Sequence, residues 1–193
     1  MGETSVPYTS GEKPTGEKAL KVLTYFFENP REEVYLRELA RRLRMSPATV
    51  MRALRLLIRE GLITKRPEKH ATYFKANLNP CFRELKKAYT VSKILRSGVL
   101  GLLSEKSVGL SSILLYGSAA KGEDDRESDY DFLVIAARCT AKSSELLRLL
   151  GREVTLQVFD AAGWKRVAKR NRAFYLDVIS SSIVLYGEKP VID

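Results

Sequence analysis

The residues best spaced for chemistry are Asp129 and Asp131, two carboxylates flanking Tyr130 at the start of an apolar run, Phe132 to Ala136. Alternate residues of a strand share a face, about 6.8 Å apart along it, so the two acids face together while Tyr130 and Phe132 turn to the core. Two converging carboxylates suit Mg²⁺, a hard cation that prefers oxygen and is usually shared with substrate phosphates. Upstream, a second apolar run, Ile113-Leu114-Leu115-Tyr116, ends at Gly117-Ser118. A Gly-Ser turn offers unhindered backbone N–H groups and a hydroxyl, which suit phosphate oxygens. The loop between carries Lys121, which reads as a counter-charge for phosphate or as a surface lysine. It also carries Glu123, Asp124, Asp125 and Glu127, whose acids read as solvated.

Positioning these residues takes a strand into Gly117, a short helix holding Lys121, and a second strand entered at Asp129. The chain beyond alternates in the same way. Ala141 to Leu150 has the apolar spacing of a helix, stopped by Gly151. Glu153 to Phe159 alternates as a strand, with Val154, Leu156 and Val158 on one face and Glu153, Thr155, Gln157 and Phe159 on the other. Asp160 is placed to cap a helix bearing Trp164, Val167 and Ala168, whose other side carries Lys165, Arg166, Lys169 and Arg170, with Arg172 just beyond. Those cations read as a solvated helix face or as a contact for an acidic partner. A helix from Arg172 to Ser180 and an apolar strand, Ile183 to Gly187, read as a second buried strand, close the chain.

Gly-Ser, ten residues, then Asp-x-Asp, each abutting an apolar strand, resembles the signature of the nucleotidyltransferase superfamily that includes DNA polymerase β. Lys121-Gly122 and Ser128 also stand where minimal members of that family carry similar residues. The resemblance implies that Asp129 and Asp131 hold Mg²⁺ or Mn²⁺, and that Gly117, Ser118 and Lys121 hold the phosphates of an NTP. A nucleotide would then pass to an acceptor hydroxyl. Family members use a third carboxylate from the later strand, in a Val-Asp-Leu run, where this chain reads Val154-Thr155-Leu156. Thr155 therefore stands in the place of an acid, which would reduce or remove activity, and Glu153 on the same face reads as a substitute or as a solvated strand-end acid. Minimal prokaryotic members often act beside a helical toxin-like protein as toxin–antitoxin pairs, so the resemblance implies such a partner; the short domain leaves acceptor recognition to the winged helix, a second subunit of a homodimer or another protein.

The first half of the chain reads differently. Net charge is +10, and between Arg31 and Lys75 there are 12 Lys and Arg against 5 Asp and Glu. Concentrated positive charge points to a polyanion. Residues 1–16, rich in Gly, Ser, Thr and Pro, read as a disordered tail. Helical spacing follows at Leu20, Leu23, Phe26 and Phe27, and again at Leu36, Leu39, Ala40 and Leu43. Ser46 and Pro47 then form an N-cap and first helical position for a third helix, which buries Val50, Leu54, Leu57 and Ile58 and ends at Gly61. Two short strands, 62–65 and 72–76, flank a basic turn. Helix, helix, turn, helix and basic hairpin closely resemble prokaryotic winged helix-turn-helix DNA-binding domains. The resemblance implies that Ser46, Ala48, Thr49, Arg52 and Arg55 face double-stranded DNA. Lys65, Arg66, Lys69 and His70 on the wing would meet its backbone or minor groove.

The expected fold is α+β. A winged helix-turn-helix domain at 17–78 is followed by a connecting helix at 79–92, with apolar Phe82, Leu85 and Tyr89. A small mixed-sheet nucleotidyltransferase domain at 93–193 completes the chain. No run of 18 apolar residues spans a membrane, and the N-terminus has no apolar core for secretion. Two cysteines and one histidine cannot build a zinc site from this chain. A cytoplasmic location with reduced thiols is the expectation. Two functional readings stay open: a Mg²⁺-dependent transferase carrying a DNA-binding module, and a DNA-binding regulator or antitoxin whose transferase-like domain binds nucleotide or partner without turnover.

Overall fold

The computed structural model describes residues 15–68 and 71–192, in two units, Met1–Leu78 and Asn79–Asp193. The chain is α+β, a helix-turn-helix unit followed by a unit built on a mixed sheet.

In the first unit α1 (Thr15–Glu28) buries Val22, Leu23, Phe26 and Phe27, but leaves Leu20 57% exposed. A two-residue strand β1 (Val34–Tyr35) leads directly into α2 (Leu36–Leu43). The chain turns at Arg44, left-handed with φ 53°, and Ser46 Oγ accepts the Thr49 N–H at 3.2 Å to start α3 (Pro47–Arg59). That helix buries Val50, Ala53, Leu54 and Leu57 against α1. Strands β2 (Ile63–Pro67) and β3 (Thr72–Ala76) form an antiparallel wing, with Ile63 opposite Ala76 and Pro67 opposite Thr72. β1 adds to its other side, Val34 opposite Phe74. Two residues carry no readable periodicity, so this strand is invisible in the sequence. A polar clasp joins α1 to α2: Tyr25 and Arg42 both reach Glu32, at 2.8 and 2.7 Å, and Arg42 also pairs with Glu38.

The second unit opens with α4 (Pro80–Arg96), capped by Asn79, then α5 (Val99–Glu105) after Gly98 at φ 84°. Strands β5 (Ser112–Tyr116), β6 (Tyr130–Ile135), β8 (Val154–Phe159) and β9 (Ile183–Gly187) form one sheet in the order β8-β6-β5-β9. Only β6 and β8 run parallel. A minor pair, β4 (Ser107–Val108) with β7 (Arg138–Cys139), lies apart from it. The short α6 (Gly117–Lys121) follows β5, α7 (Ser143–Leu150) precedes β8, and α8 (Ala161–Arg170) and α9 (Arg172–Ser181) lie between β8 and β9.

Both sheet faces are covered. Ile113, Leu115, Phe132, Val134 and Val154 pack with Ile94, Val99, Leu103, Leu146 and Leu150 on one side. Leu114, Tyr116, Leu133 and Ile135 pack with Trp164, Ala168, Tyr175 and Val178 on the other. β5 is buried throughout, as a central strand with covered faces must be. β9, read from its composition as a second buried strand, is instead an edge strand, with Tyr186 48% exposed. The phase of α4 also differs from its apolar spacing. Leu85 is 41% exposed, while Phe82, Lys86, Thr90 and Ile94, four apart, form the buried stripe.

Candidate functional site

The phosphate- and metal-suited residues gather where β5 ends and β6 begins. Tyr116 lies opposite Asp131 across the antiparallel pair. Gly117 then takes φ 72°, a left-handed conformation that favours glycine. A Cβ there would collide with Asp131 Oδ2 and lie 3.1 Å from Asp131 Cγ. Both backbone angle and close approach therefore require glycine, and the Asp131 carboxyl lies against the turn that carries Ser118. Asp131 is half-buried and Asp129, just before the strand, is exposed. Burial, and then the charge of Asp129, raise the Asp131 carboxyl above its ordinary range. The Tyr116 hydroxyl is pushed up to about 12, first by burial and then by Asp131. Negative charge thus accumulates at a partly desolvated point, which favours an arriving cation.

The loop before Asp129 is built, not solvated. The Asp125 carboxylate accepts the N–H groups of Glu127 and Ser128, each at 3.1 Å, and the Ser128 hydroxyl at 2.9 Å. Asp124 is 2% exposed. It pairs through Oδ1 with Lys86 Nζ and through Oδ2 with Arg152 Nη1, both at 2.7 Å. Arg152 also lies over the Tyr130 ring, 4.4 Å from its centre. This corrects the reading of the loop acids as surface charge, because two of them are structural. Glu123 keeps a surface role, facing Arg83 at 3.2 Å. The signal was a lysine inside the four-residue stripe of α4, whose charge demands a buried carboxylate. Gly122, at φ 70°, lies so close to α4 that a Cβ would come within 2.6 Å of the Arg83 carbonyl oxygen.

The parallel register sets Thr155 directly beside Asp131, on the same sheet face. Two residues back, just before each strand, stand Asp129 and Glu153, and the Glu153 carbonyl accepts the Tyr130 N–H at 2.9 Å. The Glu153 side chain is exposed. Among the described residues, no three of His, Cys, Asp and Glu come together as a metal-holding group. The donor set that fits a hard cation is therefore two carboxylates, with phosphate oxygens to complete it. Lys121 Nζ pairs with Asp177 of α9 at 2.7 Å, so its charge is already matched by a residue the sequence did not single out.

In the first unit Ser46, Arg52 and Arg55 are exposed and Thr49 half-buried along α3. The Ser46 and Thr49 hydroxyls lie 2.8 Å apart. Lys65 is exposed on β2. Arg66 turns back onto the wing, 2.7 Å from Glu33, paired with Glu68, and 5.3 Å from the centre of the Tyr73 ring. Lys69 and His70, read as wing-tip contacts, lie outside the described residues, as does the tail up to residue 14. Among the described residues no helix is long and apolar enough to cross a membrane.

Comparison with known proteins matches the two units separately. Residues 17–67 match the IclR helix-turn-helix domain, and residues 96–179 match the nucleotidyltransferase domain. No curated protein matches the chain. Among solved structures, one of a toxin–antitoxin with AMP-PNP is similar at 23% identity, over 49% of this chain and 75% of that one, with a TM-score of 0.39. A mutant toxin–antitoxin MntA-HpeT is similar at 21% identity, over 47% and 72%, with a TM-score of 0.38. The chain therefore joins a helix-turn-helix domain of the IclR type to a nucleotidyltransferase domain.

Proposed function

We propose that the second unit binds a metal–NTP complex at Gly117, Ser118, Asp129 and Asp131 and transfers its nucleotide to an acceptor hydroxyl, while the first unit binds double-stranded DNA. The observation that carries this reading is the packing of the Asp131 carboxyl on Gly117, which brings the carboxylates and the phosphate-suited turn to one point. Mg²⁺ or Mn²⁺ would be held by Asp129 and Asp131, and when bound would offset the charge of the phosphates. The chain's own residues do the rest. The Ser118 hydroxyl and the turn N–H groups orient phosphate oxygens, and the closeness of Gly117 to Asp131 keeps phosphate and carboxylates together. Lys121 assists only by leaving Asp177. On the DNA side, Ser46, Thr49, Arg52 and Arg55 face the major groove, with Lys65 at the backbone; Arg66 braces the wing through Glu33 and Glu68.

The test is label transfer from α-labelled NTPs with Mg²⁺ or Mn²⁺, compared with Asp129→Ala/Asp131→Ala. Label on an acceptor that disappears in the double variant supports transfer; nucleotide binding without label under every condition sinks it. A second reading, nucleotide binding without turnover in a DNA-bound regulator or antitoxin, is favoured by the position of Thr155. The residue beside Asp131 is neutral and cannot accept a proton from an attacking hydroxyl.

A further inference from the structure

Cations of the second unit differ in whether a carboxylate meets them. Lys86, Lys87, Lys106, Lys121, Arg83 and Arg152 each have a carboxylate partner. Lys165, Arg166, Lys169, Arg170 and Arg172 have none among the described residues, and all five are exposed. They lie in one stretch of α8 and the start of α9, with no Asp or Glu between Asp160 and Asp177. The helix buries Gly163, Trp164 and Ala168 and turns its cations outward. A charge concentrated this way and left unmatched raises the local potential and attracts a polyanion.

The strip also has a shaped floor. Phe159, Gly163, Arg166, Val167, Arg170 and Asn171 line a cleft of about 260 Å³. Gly163 opens it: a Cβ there would stand 3.5 Å from Arg166 Nη2 and 3.7 Å from Phe159 Cδ1, so guanidinium and ring edge converge over the glycine. Asp160, the acid at the rim, is engaged as the helix cap, accepting the Gly163 N–H at 2.6 Å. The helix that follows the strip, α9, packs beside the candidate site. Phe174, two residues past Arg172, meets Tyr116 edge-on at 5.6 Å, and Tyr116 precedes Gly117 and lies opposite Asp131.

We infer that α8 is a binding surface for single-stranded nucleic acid. Its arginines hold the phosphate backbone, and one base seats under the Arg166 guanidinium with the Phe159 ring edge against it. Charge alone would fit any polyanion. The aromatic edge and guanidinium groups at one shallow, open cleft favour a strand with exposed bases over a duplex, whose bases are stacked away. The inference goes beyond the transfer reading and stands without it, because binding needs neither metal nor NTP.

The test is fluorescence anisotropy of the full chain with a labelled single strand of about a dozen nucleotides, without divalent metal or NTP. Arg166→Glu/Arg170→Glu should weaken binding by about tenfold or more and flatten the log–log salt slope by about 1.4, about 0.7 for each phosphate no longer neutralised. Phe159→Leu, which keeps an apolar side chain against Trp164, should weaken binding by about tenfold with the salt slope unchanged, since a contact between ring edge and base carries no counterion. Arg52→Ala/Arg55→Ala should leave strand binding intact. The proposal is overturned if the wild-type chain binds no strand, or if the α8 double variant binds like wild type. It is equally overturned if the Arg52/Arg55 variant is the one that loses the strand, or if polyglutamate competes as well as the oligonucleotide, which would make the strip a protein-binding surface. Unchanged melting temperatures of the variants would show that lost binding is not lost folding.

Discussion

Asp131 carries opposed demands at the scale of one residue. Its carboxyl must ionise to attract a cation, yet burial and Asp129 favour its protonated form. The sign follows from linkage. With the folded value above the unfolded one, the folded chain holds this proton longer, so stability falls as pH rises from the ordinary aspartate range through the raised value, and stays lower at neutral pH. Asp131→Asn should therefore raise the melting temperature of the metal-free protein at pH 7 and leave it unchanged well below the ordinary aspartate range. Calorimetry at the two pH values checks this, and the same variant should lose the thermal stabilisation that Mn²⁺ gives wild type. Thr155 makes the complementary case. Because it is the register neighbour of Asp131, Thr155→Asp adds a carboxylate beside the other two. It should tighten Mn²⁺ by at least tenfold, about 1.4 kcal/mol, and raise label transfer if turnover is limited by the missing acid. Titration calorimetry and the transfer assay separate those two effects. That the Gly117 turn and Asp131 of the candidate site come together was legible, because the two apolar runs that carry them pair as β5 and β6. Which groups were already engaged was not: Asp177, the partner of Lys121, is 56 residues away and is brought in only by the packing of α9 on α6.

Among the elements, α4 shows how a surface-looking loop is made rigid. A buried lysine at the second position of the Phe82-Lys86-Thr90-Ile94 stripe fixes Asp124, and Asp124 fixes Arg152 at the start of β8. The helix, the loop before Asp129 and the strand bearing Thr155 are thereby tied at one carboxylate. Removing it leaves two buried cations without their anion. Asp124→Asn should destabilise the second unit by about 3–5 kcal/mol, read as an earlier urea transition by tryptophan fluorescence from Trp164. Asp124→Asn with Lys86→Met should recover part of the loss, because one of the stranded charges is then gone. The longer helices and strands were readable from apolar spacing and caps, where Ser46, Asn79 and Asp160 each accept the N–H three residues on; the two-residue strands β1, β4 and β7 were not. The failures share a cause. Leu85, Leu20 and the composition of β9 were read as buried because they are apolar, but only packing decides which of several apolar stripes is covered and which strand lies at the edge. Asp124 was read as solvated with the other loop acids; Lys86 in the α4 stripe signals a buried anion, but which acid 38 residues on supplies it is decided only by packing.

The whole molecule consists of two units with separate cores and separate chemistry. Each binding reading rests on residues within one unit: the α3 face and wing for DNA, the β5–α6–β6 corner for nucleotide. For independent sites, free energies add to within about 0.3–0.5 kcal/mol. Arg52→Ala/Arg55→Ala should therefore weaken duplex binding and reduce its salt slope by about 0.9 for each phosphate no longer neutralised. The Mn²⁺–nucleotide thermal shift should not move. Asp129→Ala/Asp131→Ala should do the reverse, abolishing the shift and leaving duplex affinity as it was. Combining all four changes should give the sum of the two effects. An excess over the sum would mean that the units exchange free energy. A duplex would then have to alter nucleotide affinity by the same factor as nucleotide alters duplex affinity, because linkage is reciprocal. Measuring duplex affinity with and without saturating Mn²⁺–nucleotide decides between the two. Equal affinities mark a tether between independent binders, and a difference marks a nucleotide-controlled DNA-binding protein.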